Sequence, residues 1–478
     1  MNCGASEQEG HRLETERQVV HSAQQEPESG PFWRRFWPLI AIPIVGYLLL
    51  AFVFTGPAPS VLFGIFKVPP LYGYWAPVPI APMPLVVAAA VTLGAIVVFL
   101  VIERWTLAVG TVLVILTIFL AFGVGMVRGD VNLLTRNVKT QSYAADIHFV
   151  DEYGVRGLAM AHPDLIEEYA TYNSKTKPPG GLLLLWATYE LVGDHAMRVA
   201  AVIAGMGLAA SFVAFAVGRT ISDLTAGKLA LVLFLTAPGP LLLAFSAMDV
   251  VFASLLSAAA AGFIYSISRD SWRWSAIAGG ALGVATLFNF AAAFIALTAV
   301  ITAILMLRKP IRIAYHLVAA GLAGVLVLGI ARLTIGIDVL ASYIAYRGIR
   351  GGGFPYDLYW VVGQPTAIMI FMGLPILVFG IRGLLRKEFR VRGATFVVVL
   401  CFVALLWFAL PDFVTGIRRG EMERIWAYVY PLFAGVAGAE VGMWARKARV
   451  KPYMAALGLC VLSIGQAVFI ESRWDTIF

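Results

Sequence analysis

The segment 172–198 reads YNSKTKPPGGLLLLWATYELVGDHAMR, and whether its apolar centre crosses a membrane decides the topology of everything that follows. That centre, Gly180–Val192, holds 13 residues, fewer than the roughly 20 that a helix needs to span a hydrocarbon core of about 30 Å. It is bracketed by Lys175 and Lys177 on one side and Asp194, His195 and Arg198 on the other. A crossing here would invert every later loop and put the Arg/Lys clusters on the outer face, against the cytoplasmic bias of such residues. The reading is therefore a juxtamembrane or re-entrant helix along the outer interface, started by Pro178 and Pro179 without wasting backbone donors.

Working outward, apolar runs long enough to span lie near 36–54, 85–102, 106–126, 199–218, 229–245, 250–268, 275–290, 292–307, 313–333, 361–384, 394–410, 425–445 and 453–470. That is about thirteen transmembrane helices in an all-α polytopic bundle, since in lipid a helix satisfies its own backbone. Composition agrees: of 478 residues 60% are apolar and 13% charged, with mean hydropathy +0.82, far from soluble domains. Residues 1–33 are polar, lack the apolar core of a signal peptide, and read as a disordered cytoplasmic tail. The remainder, 34–478, reads as one transmembrane domain.

With the tail inside, Arg34/Arg35, Arg104, Arg219, Arg269/Arg273, Arg308/Lys309/Arg312, Arg382–Arg392 and Arg446–Lys451 all fall on the cytoplasmic face of a multi-pass plasma-membrane protein. The net charge of +8 is thus spread over short loops between spans, which fits topology and membrane lipids and argues against nucleic acid. Cys401 and Cys460 lie in apolar runs as small hydrophobes, and no zinc or disulfide framework is implied.

This topology leaves one large extracytoplasmic loop, 127–198, with an unusual set of charges for its side. Its densest stretch, YAADIHFVDEYGVRG over 143–157, carries Asp146, Asp151 and Glu152 beside Tyr143 and His148. An acceptor hydroxyl needs a carboxylate within reach to lose its proton. A phosphate leaving group needs Lys, Arg or helix N-terminal N–H groups, and Lys175, Lys177, Gly180 and Gly181 stand where such a clamp would form. Further outward-facing charges are Asp249 at a helix start, RGIRGGGFPYD over 347–357 with Arg347 and Arg350, and GEMERIW over 420–426 with Glu421 and Arg424.

Taken together, Asp146 and Asp151, the K-P-P-G at 177–180, the S-A-M-D at 246–249 and the G-E-M-E-R-I-W at 420–426 resemble the GT-C superfamily of integral-membrane glycosyltransferases, close to actinobacterial-type members. The resemblance runs from about Met126 to Ala445. It implies a GT-C-like bundle with extracytoplasmic juxtamembrane helices and an inverting transfer of a sugar from a polyprenyl-phosphate donor to a cell-envelope glycan, lipid or protein. Under it Asp146 or Asp151 is the catalytic base, and Lys175, Lys177, Arg347, Arg350 and Arg424 are candidates for the donor phosphate. Glu421, Asp249, His148 and Tyr143 would meet sugar or acceptor, and the lipid tail would lie between helices. Two extra spans intervene before the loop, which in the superfamily directly follows the first span, and this leaves open which Asp is the base.

Plainer readings stand beside these. Asp146 and Asp151 are also what a solvated loop carries; Lys175 and Lys177 also anchor headgroups; Asp249 also caps a helix; Glu421 and Arg424 also make a surface pair of little energetic consequence. His148 and His162 with a carboxylate form the only hint of a divalent cation such as Mg or Mn, and no cofactor is otherwise implied. Asn289, His316 and Glu440 are intramembrane polar residues, and P-G-P at 238–240 reads as a kinked helix end. The principal rival is a transporter or flippase for lipid-linked saccharides, which should show midplane charges and an internal repeat; neither is prominent. No Walker-type nucleotide loop is present.

Overall fold

The computed structural model describes residues 74–75, 77–78, 82–102, 107–129, 131–140, 142–348, 357–409 and 422–475. The tail 1–33, the span expected at 36–54, and Asp130, Arg350, Arg418, Arg419 and Glu421 lie outside the described residues.

Seven helices among the described residues are long and apolar enough to cross a bilayer: Met83–Val101, Leu107–Arg128, Ala196–Ile221, Asp249–Ser268, Pro310–Thr334, Lys387–Phe408 and Pro452–Arg473. A bent pair, 364–372 with 374–384, makes eight if counted as one span. The chain is therefore an all-α, multi-pass membrane protein, with one antiparallel pairing of two-residue strands, Tyr74–Trp75 on Trp474–Asp475.

Two of the runs read as spans are broken helices. The run read as 229–245 is two helices, Leu224–Thr236 and Pro238–Leu243, because Pro238 forces Ala237 into an extended conformation (φ −67°, ψ 149°). The run read as 361–384 is broken by 106° around Gly373, whose φ of +85° suits glycine. Gln466 bridges that break: its Oε1 accepts from the Leu374 N–H at 3.0 Å and its amide donates to the Ile370 carbonyl at 3.1 Å. The two breaks meet, for a Cβ on Gly373 would lie 2.6 Å from Pro238 Cδ. Trp272–Thr286 and Ala292–Leu307, at 15 and 16 residues, are shorter than a full span.

Helix Val429–Lys447 is the core of the bundle, buried along nearly its whole length against Ala210–Ile221, Leu224–Thr236 and Leu374–Leu384. Small residues make this possible: a Cβ on Gly438 would come within 2.5 Å of the Ala226 carbonyl oxygen. At the other extreme, Pro310–Thr334 packs chiefly on Trp272–Thr286 and exposes Leu322, Val325, Leu326 and Ile330, as a lipid-facing helix does.

The three intramembrane polar residues singled out from sequence have structural work. Fully buried Glu440 receives Arg386 and Arg382. His316 sits between Ser275, at 2.7 Å, Ser266 and Asp270, and Asn289 accepts the Ala291 N–H at 2.9 Å to shape the turn between two helices.

Candidate functional site

The segment 142–192 folds as a series of short helices ahead of the span Ala196–Ile221. Its last member occupies Gly180–Val192 with Pro179 as N-cap, the limits read from sequence. The two glycines, expected to let backbone N–H groups approach a phosphate, are used for packing instead. Gly180 donates its N–H to the Leu287 carbonyl at 3.2 Å. A Cβ on Gly181 would lie 2.8 Å from both the Phe252 and the Tyr143 ring. The start of this helix is thereby pressed into the end of Trp272–Thr286 and onto the first turn of Asp249–Ser268.

That docking brings Lys177, just before the two prolines, to the carboxylate of Asp249. Lys177 Nζ donates to Asp249 Oδ1 and lies 5.3 Å from the centre of the Phe252 ring. Phe252 follows Asp249 by three residues and so shares its helix face. From the far end of the chain, the short helix Met422–Ile425 supplies Arg424, whose Nε lies 3.8 Å from Asp249 Oδ2. Trp426 anchors this segment, buried among Phe294, Phe408 and Tyr428. Two cations thus converge on one carboxylate, with all three side chains at most 10% exposed. Charges are removed from water in this way only when paired.

Tyr143 completes the cluster. It lies in the 3-10 turn Ser142–Asp146, is 1% exposed, and stands edge-on to Phe252 with ring centres 6.1 Å apart. Burial, and then the Asp249 charge, raise its phenol well above the usual tyrosine value, while Arg424 opposes the shift. Its hydroxyl has no hydrogen-bond partner among the described residues.

Asp146, on the same turn, is fully buried. Its Oδ1 accepts the Ala170 N–H at 2.7 Å, and its Oδ2 accepts the Thr171 N–H at 3.2 Å and the Thr171 hydroxyl at 2.5 Å. It fastens the turn that leads into Lys177. His162 fastens the same turn from behind, its Nε2 3.2 Å from the Ser174 carbonyl and its Nδ1 3.2 Å from the Ser342 hydroxyl. Burial lowers the His162 imidazole from the usual 6.5 to about 4, so it is neutral at pH 7.

The other expected residues stand apart from these contacts. Asp151 is exposed on helix His148–Ala161 and accepts from the Trp186 indole at 3.1 Å. His148 is exposed, with Nδ1 3.2 Å from the Ala145 carbonyl. Lys175 turns the other way from Lys177 and donates to the Glu167 carbonyl at 3.3 Å. Arg347 is exposed at the end of Val339–Gly348. No group of three or more His, Cys, Asp or Glu residues placed to hold a metal ion occurs among the described residues.

A small apolar cavity of about 20 Å³ opens against the helix that begins at Asp249. Val250 and Ala253, which follow Asp249, line it together with Ala427, one turn after Arg424, and with Gly239 and Pro240 from the first helix break.

No protein-family model and no curated protein matches the sequence. Among solved structures the chain is similar to ArnT from Cupriavidus metallidurans in the apo state, at 19% identity over 60% of this chain and 56% of that one, with a TM-score of 0.42. It is also similar to the Archaeoglobus fulgidus oligosaccharyltransferase, at 15% identity over 63% of this chain and 45% of that one, with a TM-score of 0.39. The match spans about half the length of each of those chains.

Proposed function

We propose that this chain is a membrane glycosyltransferase of the GT-C type, transferring a sugar from a polyprenyl-phosphate donor to an envelope glycan, lipid or protein on the extracytoplasmic face. The observation that carries this reading is the convergence of two buried cations, Lys177 and Arg424, on Asp249. A lipid phosphate matches this arrangement, with its oxygens on the two cations. Asp249 holds the cations in place before the donor arrives.

In the transfer itself the acceptor oxygen attacks the anomeric carbon from the face opposite the phosphate. The bond from that carbon to the phosphate oxygen breaks with inversion, and the leaving polyprenyl phosphate takes the electron pair. Lys177 and Arg424 neutralise the charge that develops there. The acceptor proton passes to a carboxylate, for which Asp146 and Asp151 are the candidates. Asp146 shares its turn with Tyr143 but is engaged by the 170–171 backbone and Thr171, whereas Asp151 is open to solvent. For Asp146 to act, the Thr171 hydroxyl must let go when substrates bind.

The test is sugar transfer by purified protein from a panel of radiolabelled polyprenyl-phosphate sugars, with Asp146→Asn and Asp151→Asn beside wild type. The reading expects transfer by wild type and a loss of about 10²–10⁴-fold in the variant that lacks the base. Wild type that binds labelled lipid and moves it across a reconstituted bilayer without consuming the donor would replace the enzyme by a flippase.

A further inference from the structure

Three tyrosine hydroxyls, those of Tyr143, Tyr169 and Tyr428, are buried without a hydrogen-bond partner among the described residues. A buried hydroxyl left unpaired costs about 1–3 kcal/mol, and an orphan of this kind calls for a physical reason. Burial raises the phenols of Tyr143 and Tyr169, but their charged neighbours differ: Tyr169 feels Asp146, while Tyr143 feels both Asp249 and Arg424. Its ring is fixed from two sides, by Phe252, which also carries Lys177, and by the glycine surface of Gly181, where a Cβ would stand 3.0 Å from the Tyr143 oxygen. The hydroxyl is held rigidly beside the Asp249–Arg424 pair, with Lys177 across the Phe252 ring, and has no partner among the described residues.

We propose that the Tyr143 hydroxyl is a third donor to the phosphate of the isoprenoid ligand, unpaired in the empty protein and satisfied when a phosphate oxygen settles between Lys177 and Arg424. This rests on the reading of the cluster as a lipid-phosphate site. It gives Tyr143 a phosphate contact instead of the sugar or acceptor contact expected from sequence. The rigid ring makes the donor pre-organised, so little side-chain freedom is lost on binding. The hydroxyl, which has no partner among the described residues, becomes part of what distinguishes an occupied site from an empty one.

Tyr143→Phe removes only the hydroxyl, and the test is binding of farnesyl phosphate to the full chain in lipid nanodiscs, with Lys177→Met, inorganic phosphate and farnesol as separate arms. Wild type should bind farnesyl phosphate, with inorganic phosphate and farnesol each far weaker, because both the charge and the chain are recognised. Tyr143→Phe should weaken binding about ten- to a hundredfold, the worth of one hydrogen bond to a charged group, while its melting temperature without ligand stays level or rises. A merely structural tyrosine gives the opposite pattern, a lower melting temperature with unchanged affinity, and that result overturns the proposal. Unchanged affinity in Tyr143→Phe together with lost affinity in Lys177→Met overturns the role of Tyr143 and leaves the phosphate site standing. Wild type that fails to bind farnesyl phosphate removes both.

Discussion

Helix Val429–Lys447 has a carboxylate held by two cations near each of its ends, and the two arrangements behave differently. Just before its start, Arg424 and Lys177 share Asp249; near its end, Arg382 and Arg386 share Glu440. Arg424 and Glu440 are 16 residues apart in sequence, on the order of 20 Å along a helical path at about 1.5 Å per residue. At the far end the geometry is closed: Arg386 grips Glu440 with Nε and Nη2, the latter at 2.9 Å, and Arg382 adds its Nε at 2.5 Å. Those guanidiniums reach solvent, with side chains 19% and 28% exposed. At the near end every charged group is buried, Arg424 stands off at 3.8 Å, and a phenol beside the ions has no partner among the described residues. At the far end, Arg382 ties the broken segment 374–384 to the central helix and Arg386 adds a bidentate grip. The looser, buried arrangement at the near end has geometry a ligand can complete.

Removing one cation from each end is the strongest way to break this comparison. Lys177→Met should reduce sugar transfer about 10²–10³-fold, as the loss of one charge-stabilising donor does. Arg386→Met should leave transfer per folded molecule unchanged, and parallel kinetics in liposomes check both. Glu440→Gln should instead lower stability by roughly 3 kcal/mol, less than a fully buried pair would because its arginines partly meet water, read as a shift in chemical unfolding.

His162 sharpens the near end through pH. Its folded value of about 4 lies below the unfolded 6.5, so the unfolded chain takes up a proton that the folded chain refuses. Stability is complete above pH 6.5 and falls as pH drops toward 4, by about 3 kcal/mol in all. His162→Gln should flatten that part of a melting-against-pH curve. The smallest effect is expected from Gly181→Ala, where the added methyl meets Phe252 and Tyr143 and overpacking costs about 1–3 kcal/mol; thermal unfolding measures it.

The same contrast shows what the sequence could reveal. Local signals were readable: the helix Gly180–Val192 announces itself by its prolines and its length, and the break at Ala237 by P-G-P. The break at Gly373 was not, because a lone glycine in an apolar run looks like any other and its bridging partner, Gln466, is 92 residues from Leu374. Lys177, Asp249, Arg424 and Tyr143 each stood out as charged or polar groups on the outer side. Their meeting did not, since Lys177 and Asp249 are 72 residues apart and nothing in their spacing encodes contact. Phe252 could have been found from its i+3 relation to Asp249. The fastening role of Asp146 could not, because it depends on backbone N–H groups, which every sequence position offers alike.

The central claim, that this near-end cluster receives the phosphate of a lipid-linked sugar while the sugar is transferred, is tested most directly by following both products in one reaction. Liposomes containing the wild-type chain, a doubly labelled polyprenyl-phosphate sugar and an envelope-lipid acceptor should release one polyprenyl phosphate for each sugar transferred, and Lys177→Met should suppress both products together. Labelled donor that crosses the bilayer intact, with neither product formed, would contradict the account.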